Sequence, residues 1–355
     1  MSVHDPDCLT PQREGGHHEE KRLREAEPYG GWPLPEVAIL LAGICAALVV
    51  AFVNDLPILL PSQKALGAFG VHYLVPVVTL IGWGLLILRN RQPRVLVYLA
   101  AAFVCYLGVL IVHFNLKLWV TAVNGANHDA AFMRSDRALQ PVVDACFAVR
   151  HWLADRLGNI DAAYLFAFIA MFYASFIVHA VRDIAVFRRL VVAVFCVHLL
   201  GAAGYLTWPA LGPFIYEDGA NAVASAAQAD MQRLVAAIRA GGADWLAVHG
   251  RANLLAGPAA MPSLHTAVSA IFVIFAWRHE RWLLCAYVPL FAFILVEAVA
   301  TRWHYVVDLA AGGVLAFACV AIADLVYRPA KRASRALDDT PWSAAGEPKA
   351  AIATS

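Results

Sequence analysis

A chain of 355 residues that is 61% hydrophobic and only 15% charged falls well short of the roughly one quarter of charged residues usual in soluble domains. That deficit excludes an ordinary water-soluble globule. The net charge of +1 says nothing about nucleic acid, but the 27 basic residues sit in loops and tails with no basic stripe interleaved with aromatics, so no nucleic-acid partner is expected.

In chain order, a polar tail over 1–35 carries His17-His18-Glu19-Glu20-Lys21-Arg22 and no signal peptide, and is expected to be disordered. Eight apolar blocks follow, at about 36–53, 71–88, 95–114, 162–181, 190–208, 263–277, 282–300 and 306–327. Most approach the roughly 17–25 residues that a membrane helix needs, and the block after Pro262 is the shortest. A second polar tail occupies 329–355. The expected fold is therefore all-α, a polytopic transmembrane bundle of about eight spans over 36–328. Seven cysteines, odd in number and without CxxC spacing, read as small core residues rather than bridges or zinc ligands.

The loops give an orientation. With the N-terminus inside, the cytoplasmic segments hold 17 Lys or Arg against 10 outside, and 8 of those 10 lie in two long loops that weigh little in the positive-inside rule. Both termini are expected in the cytoplasm, in a plasma (inner) membrane protein. Residues 220–240, with Met231, Leu234, Val235 and Ile238 at helical spacing, read as an amphipathic helix. Residues 136–157, with Val142, Val143, Phe147, Trp152 and Leu153, read similarly; for both, packing on the bundle competes with lipid contact.

Two stretches carry chemistry, and the topology puts both on the extracytoplasmic face. In Arg302-Trp303-His304-Tyr305-Val306-Val307-Asp308, the histidine and aspartate are four apart and share a helical face. A carboxylate there fixes the tautomer of the ring and leaves its other nitrogen free. The competing reading is an interfacial His–Asp pair between aromatic anchors. In Met261-Pro262-Ser263-Leu264-His265, Pro262 and Ser263 suit a helix start whose free N–H groups attract an anion. His265 then stands in the first turn.

Pro262-Ser263-Leu264-His265, 38 intervening residues, and His304-x-x-x-Asp308 together resemble the type 2 phosphatidic acid phosphatase superfamily. The likeness is strongest to its inositol phosphorylceramide synthase branch of lipid phosphotransferases. Tyr205-Leu206-Thr207-Trp208-Pro209-Ala210-Leu211-Gly212-Pro213 is similar to the upstream helper segment, so the resemblance covers roughly 190–325. It implies that His304 attacks phosphorus to form a phosphohistidine, that Asp308 orients it, and that His265 protonates the leaving group. It further implies a membrane lipid substrate, water or an alcohol as acceptor, and no metal or cofactor. Tyr205, Pro209, Gly212, Pro213 and Pro262 would support the site.

The phosphatase branch's Lys-x6-Arg-Pro motif is missing, and its Ser-Arg before the histidine is replaced at Ala298, with Glu297 before it. Transferase is therefore favoured over phosphatase, and the phosphate grip would fall to Arg302, Arg251 and the helix start at Ser263. Glu297 would pair with Arg302 or His304, or snorkel. His113 and His72 read as interfacial, His179 and His198 as buried hydrogen-bonding groups, and His128-Asp129 and His151 as solvated. Gly312-Gly313 would let the last span pack closely. Three other classes compete: a metal hydrolase using His265, His304 and Asp308, a transporter with broken paired spans, and a non-catalytic lipid-binding member.

Overall fold

The computed structural model describes residues 32–63, 93–157, 159–217, 222–256 and 261–328. The block expected at 71–88, most of both tails, and His72 lie outside them. The helices belong to one compact unit, Gly31–Val326. Among the described residues there are ten α-helices and no strand: α1 Leu34–Val53, α2 Pro93–Val123, α3 Asp129–Ala138, α4 Gln140–Leu157, α5 Ile160–Arg182, α6 Ile184–Thr207, α7 Ala222–Asn253, α8 Leu264–His279, α9 Leu284–Ala300 and α10 Val306–Val326.

Six of these, in α1, α2, α5, α6, α9 with its leading turn, and α10, are long and apolar enough to cross a bilayer. Their outward faces carry exposed apolar side chains such as Phe52, Phe166, Val314 and Phe317. The chain is a multi-pass membrane protein. The remaining apolar block, at 263–277, behaves differently. α8 has 16 residues, about 24 Å at 1.5 Å per residue, short of a hydrocarbon core of about 30 Å. Residues 266–272 are buried without a break, so α8 is a helix enclosed by others on every side.

The centre of the bundle is α6, which packs against α1, α2, α5, α8 and α10 and is buried continuously over 190–197. Asp183 starts it, its carboxylate accepting from the N–H groups of Ala185 and Val186. Hydrophobic burial gives little net drive between helices in lipid, so close approach relies on small residues. A Cβ on Gly201 or Gly204 of α6 would lie 2.7 Å from Leu264 or 2.6 Å from Pro262. A Cβ on Gly312 of α10 would lie 2.5 Å from the Ser263 carbonyl oxygen. The start of α8 is thus wedged between α6 and α10, with the Ser263 N–H donating to the Asp308 carbonyl at 3.0 Å. Both motifs lie at the same end of the bundle.

At the opposite end, three helices are tied through buried polar groups. Tyr98 of α2 donates to Glu36 of α1 at 2.7 Å, and Arg188 of α6 approaches Glu36 at 3.7 Å while lying over the Tyr98 ring. The expected surface helices pack on the bundle. Val235 and Ile238 of α7 are buried, and α7 lies against α2 before bending at Gly242, where φ is +54°. α4 rests on α9 and α5, burying Val143 while Val142 and Trp152 stay exposed.

Of the paired glycines only Gly312 makes a close contact; nothing lies within 4 Å of a Cβ on Gly313. Gly312→Ala should lower the unfolding midpoint in detergent, by an overpacking cost of about 1–3 kcal/mol. Gly313→Ala should leave it unchanged. Equal midpoints for the two variants would remove the wedge from this account.

Candidate active site

His304 sits in the five-residue turn 301–305 that reverses the chain between α9 and α10. The turn needs a left-handed residue, and Arg302 supplies it at φ +57°, a conformation costing about 1–2 kcal/mol for a residue with a Cβ. Its side chain is what holds it there. The guanidinium is buried and contacts Asp136 and Glu217, each at 3.1 Å. Its carbonyl accepts from the Phe214 N–H at 3.1 Å.

Both ends of this brace come from α3. Asp136 also accepts from the N–H of Val306 at 2.8 Å, so one carboxylate neutralises Arg302 and caps α10. Asp129, seven residues earlier and on the same face, accepts from Leu211 N at 2.9 Å, Gly212 N at 3.0 Å and the Tyr305 hydroxyl at 2.9 Å. The 209–213 segment is thereby pressed on the turn. Gly212 has φ +130°, and a Cβ there would lie 2.6 Å from the Trp303 carbonyl oxygen, so glycine is required. Pro209 accepts from the His128 N–H at 3.0 Å, and Pro213 opens a short 3-10 turn that sets Phe214 against Trp303.

Burial raises the pKa of both Asp129 and Asp136, opposed by the hydrogen bonds from Gly212 and Val306 respectively. Burial and the Asp129 carboxylate push the Tyr305 hydroxyl up, which keeps it a donor. Asp129 was expected to be solvated; it is fully buried, because two loop N–H groups and a phenol replace water around it.

Asp308 stands in the first turn of α10, fully buried. Its Oδ2 accepts from the Tyr305 N–H at 2.8 Å and lies 3.4 Å from His304 Nδ1. That separation exceeds a tight hydrogen bond, as in many sites without substrate. An aspartate at Nδ1 sets the tautomer that places the ring's lone pair on Nε2. His265 stands in the first turn of α8, its Nδ1 2.8 Å from the Tyr164 hydroxyl of α5 and its ring against Phe168. His304 and His265 line one cavity of about 390 Å³, with Tyr205, His113, His198 and Lys117.

The expected phosphate-binding residues are placed otherwise. Arg302 is held in its two ion pairs and does not line the cavity; Arg251 is exposed and reaches the Leu60 carbonyl at 3.4 Å. Ser263 is buried as the cap of α8, accepting from the Thr266 hydroxyl at 3.1 Å. The cation in the cavity is Lys117. It lies beyond the apolar block expected to end at about 114, but α2 continues to Val123.

Glu297 pairs with neither Arg302 nor His304. It receives Arg150 of α4 at 3.1 Å, and Arg150 also reaches Asp161 at 3.2 Å. His113 is buried rather than interfacial, its Nδ1 donating to the His198 carbonyl at 2.9 Å, while His198 Nδ1 donates to Val194 at 2.7 Å. His179 is buried as expected, and His151 donates to the Phe147 carbonyl on its own helix. Among the described residues, no three His, Cys, Asp or Glu side chains are grouped so as to hold a metal ion.

The sequence model of the PAP2 superfamily matches residues 131–322, more than half of the chain. The chain belongs to the PAP2 superfamily. Neither the curated proteins nor the solved structures include a significant match. The matched stretch begins well before the expected 190 and takes in α3 to α5, where Asp136, Arg150 and Tyr164 lie. Lys117 and α2 precede it.

Lys117 had a signal in the sequence: a lone lysine in an otherwise apolar helix is a functional candidate by default. Tyr164 and Asp136 had none, since only tertiary contact distinguishes them from neighbouring tyrosines and aspartates. Asp136→Ala should leave Arg302 with only the half-exposed Glu217 and cost about 3 kcal/mol of stability. Replacing both members of the pair, Asp136→Ala with Arg302→Met, should recover part of that loss. Thermal unfolding of the purified proteins checks both; a silent Asp136→Ala would contradict the brace.

Proposed function

We propose that this PAP2 superfamily protein is a lipid phosphotransferase working through a phosphohistidine on His304. The observation that carries the reading is the meeting of His304, His265 and Lys117 on one cavity, with Asp308 at the back of His304. In the first half-reaction, Nε2 of His304 attacks phosphorus and forms a P–N bond. The P–O bond to the lipid alcohol breaks, and His265 gives that oxygen a proton. Asp308 stabilises the positive charge that develops on the His304 ring. Lys117 meets the phosphate oxygens, the role for which Arg302 and Arg251 are not placed.

Tyr164 faces the other nitrogen of His265 and fixes the ring's direction. In the second half-reaction His265 takes a proton from the acceptor as its oxygen attacks phosphorus, and the P–N bond breaks. An alcohol acceptor makes the enzyme a transferase, of phosphoryl or phosphodiester head groups; the departures from the phosphatase motifs at Ala298 and Glu297 favour it. Water as acceptor makes it a lipid phosphatase. The site would face the extracytoplasmic side, as the distribution of Lys and Arg suggests.

Full-length protein in detergent, given lipid phosphates and phospholipids with and without added alcohols, separates these outcomes. The transferase reading predicts a new phosphodiester lipid that requires the alcohol, whereas free phosphate alone would assign water. His304→Ala should abolish either product. His265→Ala should lose about 10²–10⁴-fold on an alkyl ester and recover on an aryl ester, whose leaving group needs no proton. Unchanged turnover in folded His304→Ala and His265→Ala proteins would end the proposal.

A further inference from the structure

The cavity at His304 and His265 continues far below them. Along α2 its wall descends from Lys117 through Leu110 to Tyr106, which is eleven residues and about 16 Å of helix. The facing wall runs down α5 from Leu165 to Tyr173, and the two helices come together through side chains at its foot, where Tyr106 reaches Phe172. Leu165 lines the cavity and is also 46% exposed, so the upper part of this wall opens on the outer apolar face of the bundle.

Chemistry changes with depth. Lys117, His304 and His265 stand at the end near the turn, and among the described residues no carboxylate lines the cavity. Halfway down, His113 Nδ1 donates to the His198 carbonyl, which ties α2 to α6, and His198 Nδ1 donates to Val194 of its own helix. The far end is closed by aromatic rings. Tyr106 stacks on Phe195 at 5.8 Å and leans on Phe172 at 5.9 Å, and Phe172 stacks on Phe176 at 4.5 Å. α2, α5 and α6 each contribute to this floor. A volume of about 390 Å³ lies near the lower end of the roughly 300–1,000 Å³ of small-molecule sites. That suits one slender chain.

We propose that the cavity holds one hydrocarbon chain of the lipid whose phosphate faces His304 and Lys117, and that Tyr106 and Phe172 set the longest chain admitted. The assignment rests on the phosphotransfer reading for the head-group end only; the depth, the apolar walls and the aromatic floor stand without it. Any further chain of the lipid remains in the bilayer, outside the opening beside Leu165. Because α2 precedes the residues that match the PAP2 superfamily, half of this ruler belongs to the part of the chain outside the match.

The test uses full-length protein carrying His304→Ala, so that binding is read without turnover. A graded series of n-alkyl monophosphates is the probe, with glycerol phosphate as the chainless reference and native mass spectrometry as the readout. Affinity should rise about fourfold per methylene up to a limiting length and then level off. Phe172→Ala should move that limit to longer chains, and Leu110→Trp, which fills the space instead of emptying it, should move it to shorter ones. A limit that stays fixed in both folded variants overturns the proposal, as does glycerol phosphate binding as tightly as the alkyl series. Chain-length selection that persists in a protein without phosphotransfer activity would uphold the cavity assignment and remove only the catalytic reading.

Discussion

Asp308 joins the two halves of the site. Its carboxylate receives the Tyr305 N–H and faces His304, while its main-chain carbonyl receives the N–H of Ser263 at the start of α8. A shift of α10 by one ångström would therefore move the two histidines together rather than apart. The glycine at 312 makes this joint feasible, because any side chain there would collide with the Ser263 carbonyl. Sequence puts 38 residues between His265 and His304; the packing of α8 on α10 removes that distance.

The second constraint is electrostatic. Charged groups in a membrane protein are costly unless paired, and among the described residues the buried arginines are paired: Arg302 with Asp136 and Glu217, Arg150 with Glu297 and Asp161, Arg188 with Glu36. Lys117 differs, as it faces the cavity, where among the described residues no carboxylate lines the walls. In the proposed reaction this cation, beside two histidines, is the partner of the substrate phosphate. The brace on α3 has the complementary task. It spends two buried carboxylates on holding a strained turn, and that turn fixes the direction of His304.

Much of this was legible in the sequence where the signal was local. Among the described residues the apolar blocks match the helices to within a few residues, except α6, which starts at Ile184 rather than 190, and α2, whose polar Asn115 and Lys117 make its last turns look like a loop. His304, Asp308 and His265 stood out because their spacing was informative, and the structure gathers them at one end of the bundle. Arg302 illustrates the limit. A cation two residues from a histidine reads as a phosphate ligand, yet a left-handed backbone turns its side chain toward α3 and away from the cavity. Asp129, Asp136 and Tyr164 act through contacts across long stretches of chain, and no periodicity or spacing encodes such contacts.

The central claim is that His304 carries phosphorus covalently during turnover. The most direct measurement is a brief reaction of the full-length protein with a lipid phosphate labelled at phosphorus, stopped in alkali, with the label mapped by peptide mass spectrometry. A bound phosphoryl or head-group phosphoryl that survives alkali, is lost in acid, and maps to His304 is the predicted result, with none on His304→Ala protein. Label on another residue, or continued turnover in the His304→Ala protein, would contradict the account.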